Sequence, residues 1–309
     1  MPKENTHLYF AHRVIEQTEQ KEWQRIVNGN LQAFYLGSVM PDAFYYSPKA
    51  RVREVSEILH GRHGERTNIM IFDLLDLAKA RASETDLAFV FGYLTHAALD
   101  ITFHPLIYFL SGNYFDEDEN RRYEAMYLHR HFETFLDRKV NENFFFHDLI
   151  RLKIIKKLGF PEILKEKFDV KKAETAELLI RKNLISLMEN SRLAYYFLYT
   201  LFKIGVKTAK LFYGLSYANL KADKRIIPDL VDYKDVITGH PKRELITDLF
   251  DRADDLASVY FEAAYAYYRG KIGREEAERF IRGESFNTGR IGVPVTAIKY
   301  TYNSMNNEQ

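Results

Sequence analysis

The residues of this chain with the clearest capacity for chemistry lie between Gly92 and Pro105, in the run Gly-Tyr-Leu-Thr-His-Ala-Ala-Leu-Asp-Ile-Thr-Phe-His-Pro. His96, Asp100 and His104 recur at every fourth position. With roughly 3.6 residues per turn, a step of four advances a helix by only about 40°, so the three side chains share one face. Imidazoles together with a carboxylate suit zinc and similar transition metals. His129 and Glu133 repeat the spacing further along the chain. The residues between the first three ligand candidates (Ala97, Ala98, Leu99, Ile101, Phe103) are mostly apolar. That pattern places the helix in the interior, where a carboxylate needs partners. Two ligand-bearing helix faces predict a multinuclear metal site, and such sites serve phosphoester chemistry.

Side chains spaced in this way need long helices to hold them, and helical periodicity dominates the chain. Residues 7–28 read as a first helix and 31–38 as a second, followed by a turn at Met40-Pro41-Asp42. Turn signals fill 47–65. Thr67 is placed as the N-cap of a helix to about residue 81. Ser83-Glu84-Thr85-Asp86 has capping-box character for the helix that carries His96 to His104, and Pro105 marks an expected kink or end. A helix over 120–140 carries His129 and Glu133. Further helices are expected at 150–158, 161–168, 172–189, 242–269 and 273–282, with an extended polar connection over 220–242. The tail after residue 284 has no helical period. The aromatic stretch at 193–216 reads as a buried core helix, with a lipid-facing surface or an acyl-pocket wall as the other readings. The expected fold is therefore all-α. Residues 1–145 form a metal-binding helical core and 146–309 add helices packed on it, within one domain.

Composition narrows the function. Of 309 residues, 46% are hydrophobic, so a large core is available, while 44 Lys and Arg balance 43 Asp and Glu. Bulk attraction to nucleic acid or to an anionic membrane is not expected from that balance, and no stable nucleic-acid partner is inferred. There is no cysteine, so any zinc must be held by nitrogen and oxygen. The opening Met-Pro-Lys-Glu-Asn-Thr-His has no apolar stretch of the secretory type. No run is long and apolar enough for a membrane span. Cytoplasm is the expected compartment.

In chain order the candidate ligands are His7, Asp42, His60 or His63, His96, Asp100, His104, His129 and Glu133. This set resembles the zinc-dependent phospholipase C family and, more distantly, the single-strand-specific zinc nucleases. The resemblance is carried by Gly37-Ser-Val-Met-Pro-Asp42, by Gly92-x3-His96-x3-Asp100-x3-His104-Pro105, by His129-x3-Glu133 and by the early His7, over roughly residues 1–140. It implies a mostly helical domain holding two or three zinc ions in a cleft. Asp42, one of His60 and His63, His96 and Asp100 would bind one ion. Asp100 would bridge to a second held by His7, and His104, His129 and Glu133 would bind a third. Of the two neighbouring histidines, His60 is preferred, because Leu59-His60-Gly61 lies closer to the family pattern. Asp42 would also steer or deprotonate the attacking water. Secreted members complete one site with an N-terminal Trp. Here the one Trp is Trp23, and loss of Met1 would leave the Pro2 amine to act instead.

The implied activity is hydrolysis of a phosphoester by metal-activated water, with phospholipid as one substrate class. A nuclease for single strands and a non-catalytic metal-binding interaction protein are the alternatives. His147-Asp148 matches the dipeptide of HD-type phosphohydrolases but lacks their flanking ligands, and it reads as structural. The lysines from Lys153 to Lys172 alternate with acids at helix-surface spacing and read as a solvated face.

Overall fold

The computed structural model describes residues 3–140, 145–218 and 227–302. The possible ligand Pro2 lies outside them. The described residues are all-α apart from one hairpin. The first half holds α1 (Glu4–Gln17), α2 (Lys21–Gly29), α3 (Leu31–Ala43), α4 (Ala50–Leu59), α5 (Asn68–Ala80), α6 (Glu84–Ser111) and α7 (Glu119–Val140). The second holds α8 (Phe146–Leu149), α9 (Phe160–Phe168), α10 (Lys172–Asn190), α11 (Arg192–Lys203) and α12 (Ala209–Tyr213). Strands β1 (Leu230–Lys234) and β2 (Pro241–Leu245) then pair, before α13 (Ile246–Tyr268) and α14 (Arg274–Phe280).

α6 is the axis of the molecule. Its residues are buried almost without interruption from Asp86 to Ser111, as expected of a helix apolar nearly all round. It begins where the sequence places it, with Ser83 Oγ accepting from the Asp86 amide at 3.1 Å. Helices α1, α3, α5, α7 and α13 all pack on it. The tightest of these contacts is with α3. A Cβ added to Gly37 would lie 2.0 Å from the Phe89 carbonyl oxygen, so the two backbones touch with no side chain between them.

Several local expectations differ from the structure. The first helix divides at Thr18–Gln20, where Gln24 Nε2 donates to the carbonyls of Thr18 (2.9 Å) and Ile15 (3.3 Å) and closes the end of α1. The expected turn at Met40–Asp42 is the last turn of α3, which runs through Pro41 although the proline offers no donor to the Gly37 carbonyl. Pro105 neither ends nor interrupts α6. The carbonyl of Ile101, four residues earlier, has lost its helical donor, and it faces Gly289, where an added Cβ would approach within 2.8 Å. Thr67 stands at the N-cap of α5, but its hydroxyl donates to the Glu284 carbonyl at 2.7 Å rather than capping the helix.

The polar connection at 220–242 contains β1, and β2 begins at Pro241. The two strands are antiparallel, with Leu230 opposite Leu245 and with Val231 and Tyr233 buried. The alternation Leu-Val-Asp-Tyr-Lys was a strand signal. The aromatic stretch at 193–216 is not a core helix. Tyr195 is the only residue of α11 that is buried, while Leu193, Tyr196 and Phe197 face solvent. Lys153 to Lys172 are exposed as expected, with Lys167 paired to Asp73 at 2.5 Å.

Candidate metal centre

Asp100 sits at the middle of α6 with no exposed surface. One carboxylate oxygen lies 3.1 Å from His96 Nε2 and 3.5 Å from His60 Nε2; the other lies 3.3 Å from His7 Nε2. Asp42, at the end of α3, brings one oxygen to 3.1 Å from His60 Nε2 and the other to 3.8 Å from His7 Nε2. The His7 and His96 rings stack at 4.1 Å. Ligand-competent atoms of Asp42, His60, His96 and Asp100 all fall within 4.8 Å of one another, and so do those of His104, His129 and Glu133. One turn of α6 separates Asp100 in the first group from His104 in the second. His7 belongs to neither group and stands at the far oxygen of Asp100. His63 is exposed; of the two neighbouring histidines, His60 is the one that enters the cluster.

The backbone decides which ring nitrogen faces inward. His60 Nδ1 donates to the Ser56 carbonyl at 2.6 Å, and His96 Nδ1 to the Ser38 carbonyl at 3.0 Å. His104 Nδ1 donates to the Phe286 carbonyl at 2.5 Å. A carbonyl can only accept, so each Nδ1 carries a hydrogen and each Nε2 is the atom left facing inward, which offers a lone pair to a metal once it holds no proton. The Nε2 atoms of His60 and His96 face each other at 3.4 Å. Around them are carboxylate oxygens, and neither oxygen of Asp100 has a hydrogen-bond partner of good geometry among the described residues. His104 Nε2 and both ring nitrogens of His7 are likewise buried without one. Acceptors crowded together in the interior are costly unless cations or protons lie between them. The donor set therefore fits zinc or a similar metal, through nitrogen and oxygen ligands.

Protonation follows from the same crowding. Burial lowers the affinity of His60 for a proton, but the carboxylates of Asp100 and Asp42 outweigh it and raise its pKa to about 9. In the metal-free protein a proton on His60 thus supplies positive charge in the cluster. Burial pushes His7 down, and pushes His104 and His129 well down. Burial alone would raise Asp100, but His104, His96 and His7 hold it well below the carboxylate range.

A model of the zinc-dependent phospholipase C family matches residues 6–188. The chain belongs to that family. As a member of the zinc-dependent phospholipase C family it carries all eight candidate ligands inside the matched span, and α11 to α14 outside it. Searches of curated proteins and of solved structures return no match.

The segment that follows α14 is the part of the site that sequence reasoning missed. Asn287 Nδ2 donates to the His60 carbonyl at 3.0 Å, and Asn287 Oδ1 accepts from Tyr108 at 2.9 Å. Ser285 Oγ and the Phe286 amide also donate to the His60 carbonyl, at 3.1 and 3.0 Å. The available signal was negative: a Gly-containing stretch with no periodicity after a long helical chain. His147 stands apart from the centre, with Nδ1 3.1 Å from Ser186 Oγ, and Asp148 is largely exposed. A cavity of about 450 Å³ opens over Asp42, His104, His129 and Glu133. Its walls carry Tyr45, Tyr108, Tyr114 and Phe115, with Arg53 and Arg130 among the cations.

Proposed function

We propose that this protein is a zinc-dependent phosphodiesterase whose substrates include phospholipids. The observation that carries the reading is Asp100: a fully buried carboxylate with three imidazoles about its two oxygens, beneath an open cleft. Asp42, His60, His96 and Asp100 would hold one zinc, Asp100 and His7 a second, and His104, His129 and Glu133 a third. Zinc bound there supplies Lewis acidity toward phosphoryl oxygens and acidifies water. Asp42, which both touches the donor cluster and lines the cleft, orients the attacking water and takes its proton. Water oxygen bonds to phosphorus, the phosphorus–alcohol oxygen bond breaks, and the alcohol leaves with a proton. Arg53 and Arg130 place positive charge beside the anionic phosphate. The aromatic walls give the leaving group an apolar surface. In this reading residues 1–145 carry the donors, and residues 146–309 close the cleft and brace them.

The test is zinc content by elemental analysis, alongside hydrolysis of phosphatidylcholine, bis-p-nitrophenyl phosphate and single-stranded DNA. Zinc with phosphodiester hydrolysis is the expected result. Zinc with no hydrolysis of any of the three would favour a binding protein. Cleavage of DNA alone would favour a nuclease. Asp100→Asn should lower zinc content and hydrolysis together; full activity in that variant would end the multinuclear reading.

A further inference from the structure

α10 and α11 turn apolar side chains outward in two helical stripes. On α10, Ile180, Leu184, Leu187 and Met188 fall on one face at the spacing expected of a helix, and they are 46–55% exposed. On α11, directly after Ser191, Leu193, Tyr196 and Phe197 form a second stripe, 62–83% exposed. Scattered apolar residues on a surface need no explanation, but stripes on consecutive helices mark a site of interaction. These helices remain tied to the body of the protein from their opposite faces. Lys182, buried on α10, pairs with Glu4 of α1, and Glu189 pairs with Lys3 at 3.0 Å. The apolar residues are thus displayed on a held scaffold.

Two further observations say what covers this face. The first is charge. Between residues 180 and 212 the exposed cations are Arg181, which pairs with Glu177, and Arg192, Lys203 and Lys207, with no exposed acid; Lys182 and Glu189 are buried and Lys210 pairs with Glu124. The chain as a whole is nearly neutral. Exposed aliphatic and aromatic side chains flanked by lysines match a headgroup layer with anionic lipid above acyl chains. The second is continuity. Arg181 and Ile185 of α10 and Phe212 of α12 line the cleft that opens over His104, His129 and Glu133. The apolar face and the mouth of the cleft therefore share helices.

We propose that α10 to α12 form the surface on which this protein docks to a bilayer containing anionic phospholipid, with the mouth of the cleft at the headgroup layer. Contact is peripheral, since no described helix is long and apolar enough to cross a membrane. The proposal rests on the phosphodiesterase reading for the use of the cleft, though the docking itself can be measured without it.

The test floats zinc-loaded full-length protein with vesicles of phosphatidylcholine, and with equimolar phosphatidylcholine and phosphatidylglycerol. The double variant Leu193→Glu, Phe197→Glu, neither residue lining the cleft, is floated alongside. The wild type should partition onto the mixed vesicles about tenfold or more above the variant, and salt should weaken that binding. Both proteins should hydrolyse bis-p-nitrophenyl phosphate at the same rate. Equal partition of the two proteins, or no flotation, would overturn the proposal. So would a wild-type dimer, a variant monomer and no flotation, which would assign the face to self-association. Flotation without hydrolysis of either phosphoester would keep the docking face and remove the enzyme. Hydrolysis of the soluble ester without flotation would do the reverse.

Discussion

Gly37 of α3 and Gly92 of α6 each admit the backbone of the facing helix: a Cβ on Gly92 would lie 1.9 Å from the Phe34 carbonyl oxygen, and one on Gly37 would lie 2.0 Å from that of Phe89. Each glycine begins a ligand motif. Asp42 follows Gly37 at the end of α3, and His96 follows Gly92 one turn on. The closest point of the two helices is thus set just ahead of the carboxylate and imidazole that they bring together. Gly37→Ala should cost about 3 kcal/mol or more, because carbonyl and Cβ cannot both be accommodated. Gly29→Ala, with open space around it, should be close to neutral. Chemical denaturation of the two variants checks the contrast.

The cluster should make metal-free stability fall with pH. The pKa of His60 is about 9 in the folded protein against an ordinary value of 6.5. Below pH 6.5 it is protonated folded and unfolded, and the stabilisation from Asp100 and Asp42 is fully present. As pH rises through about 9 the folded protein loses that proton and the stabilisation with it, as much as about 3 kcal/mol across the window. Zinc-loaded protein, with the proton replaced by the metal, should be flat there. Urea denaturation of both forms from pH 6 to 9.5 measures the difference. A metal-free protein as flat as the loaded one would contradict the assignment of the proton.

His60 and His63 stand three residues apart in opposite surroundings. His60→Ala should remove zinc and lower the melting temperature of the loaded protein. His63→Ala should change neither beyond about 0.5 kcal/mol, as for a surface substitution. Elemental analysis with calorimetry reads both.

Asn287→Ala removes the donor to the His60 carbonyl and the acceptor for Tyr108. It touches no ligand atom directly, yet zinc affinity should fall by roughly 10–100-fold, as when an outer partner of a metal ligand is lost. Competition with a chromophoric chelator measures it. Unchanged affinity would reduce the segment to packing.

Much of the centre is legible in the amino-acid sequence alone. A four-residue spacing maps directly onto a helix face, so His96, Asp100 and His104 read as a unit, and their apolar neighbours announce burial. Ser83 reads as a cap because capping is local. What the sequence hides is non-local. Pro105 signals a break only when its surroundings cannot absorb the lost bond, and Gly289, far along the chain, sits against the freed carbonyl. Asn287 lies in a stretch without period, and its meaning comes wholly from what it touches. The aromatics of α11 mislead because an apolar stripe reads alike whether it faces a core or the outside.

The hydrogen bonds from Asn287 to His60 and from His104 to Phe286 span 227 and 182 residues of chain. As the polypeptide emerges from the ribosome, all eight donor residues are available long before the segment that orients the His104 ring and holds the His60 backbone. Contacts of such separation form late. A nascent chain therefore gathers metal early and loosely, and locks it only once residues 285–287 have been made. The segment after α14 acts as the latch of the centre, so occupancy by zinc becomes a report on completed folding.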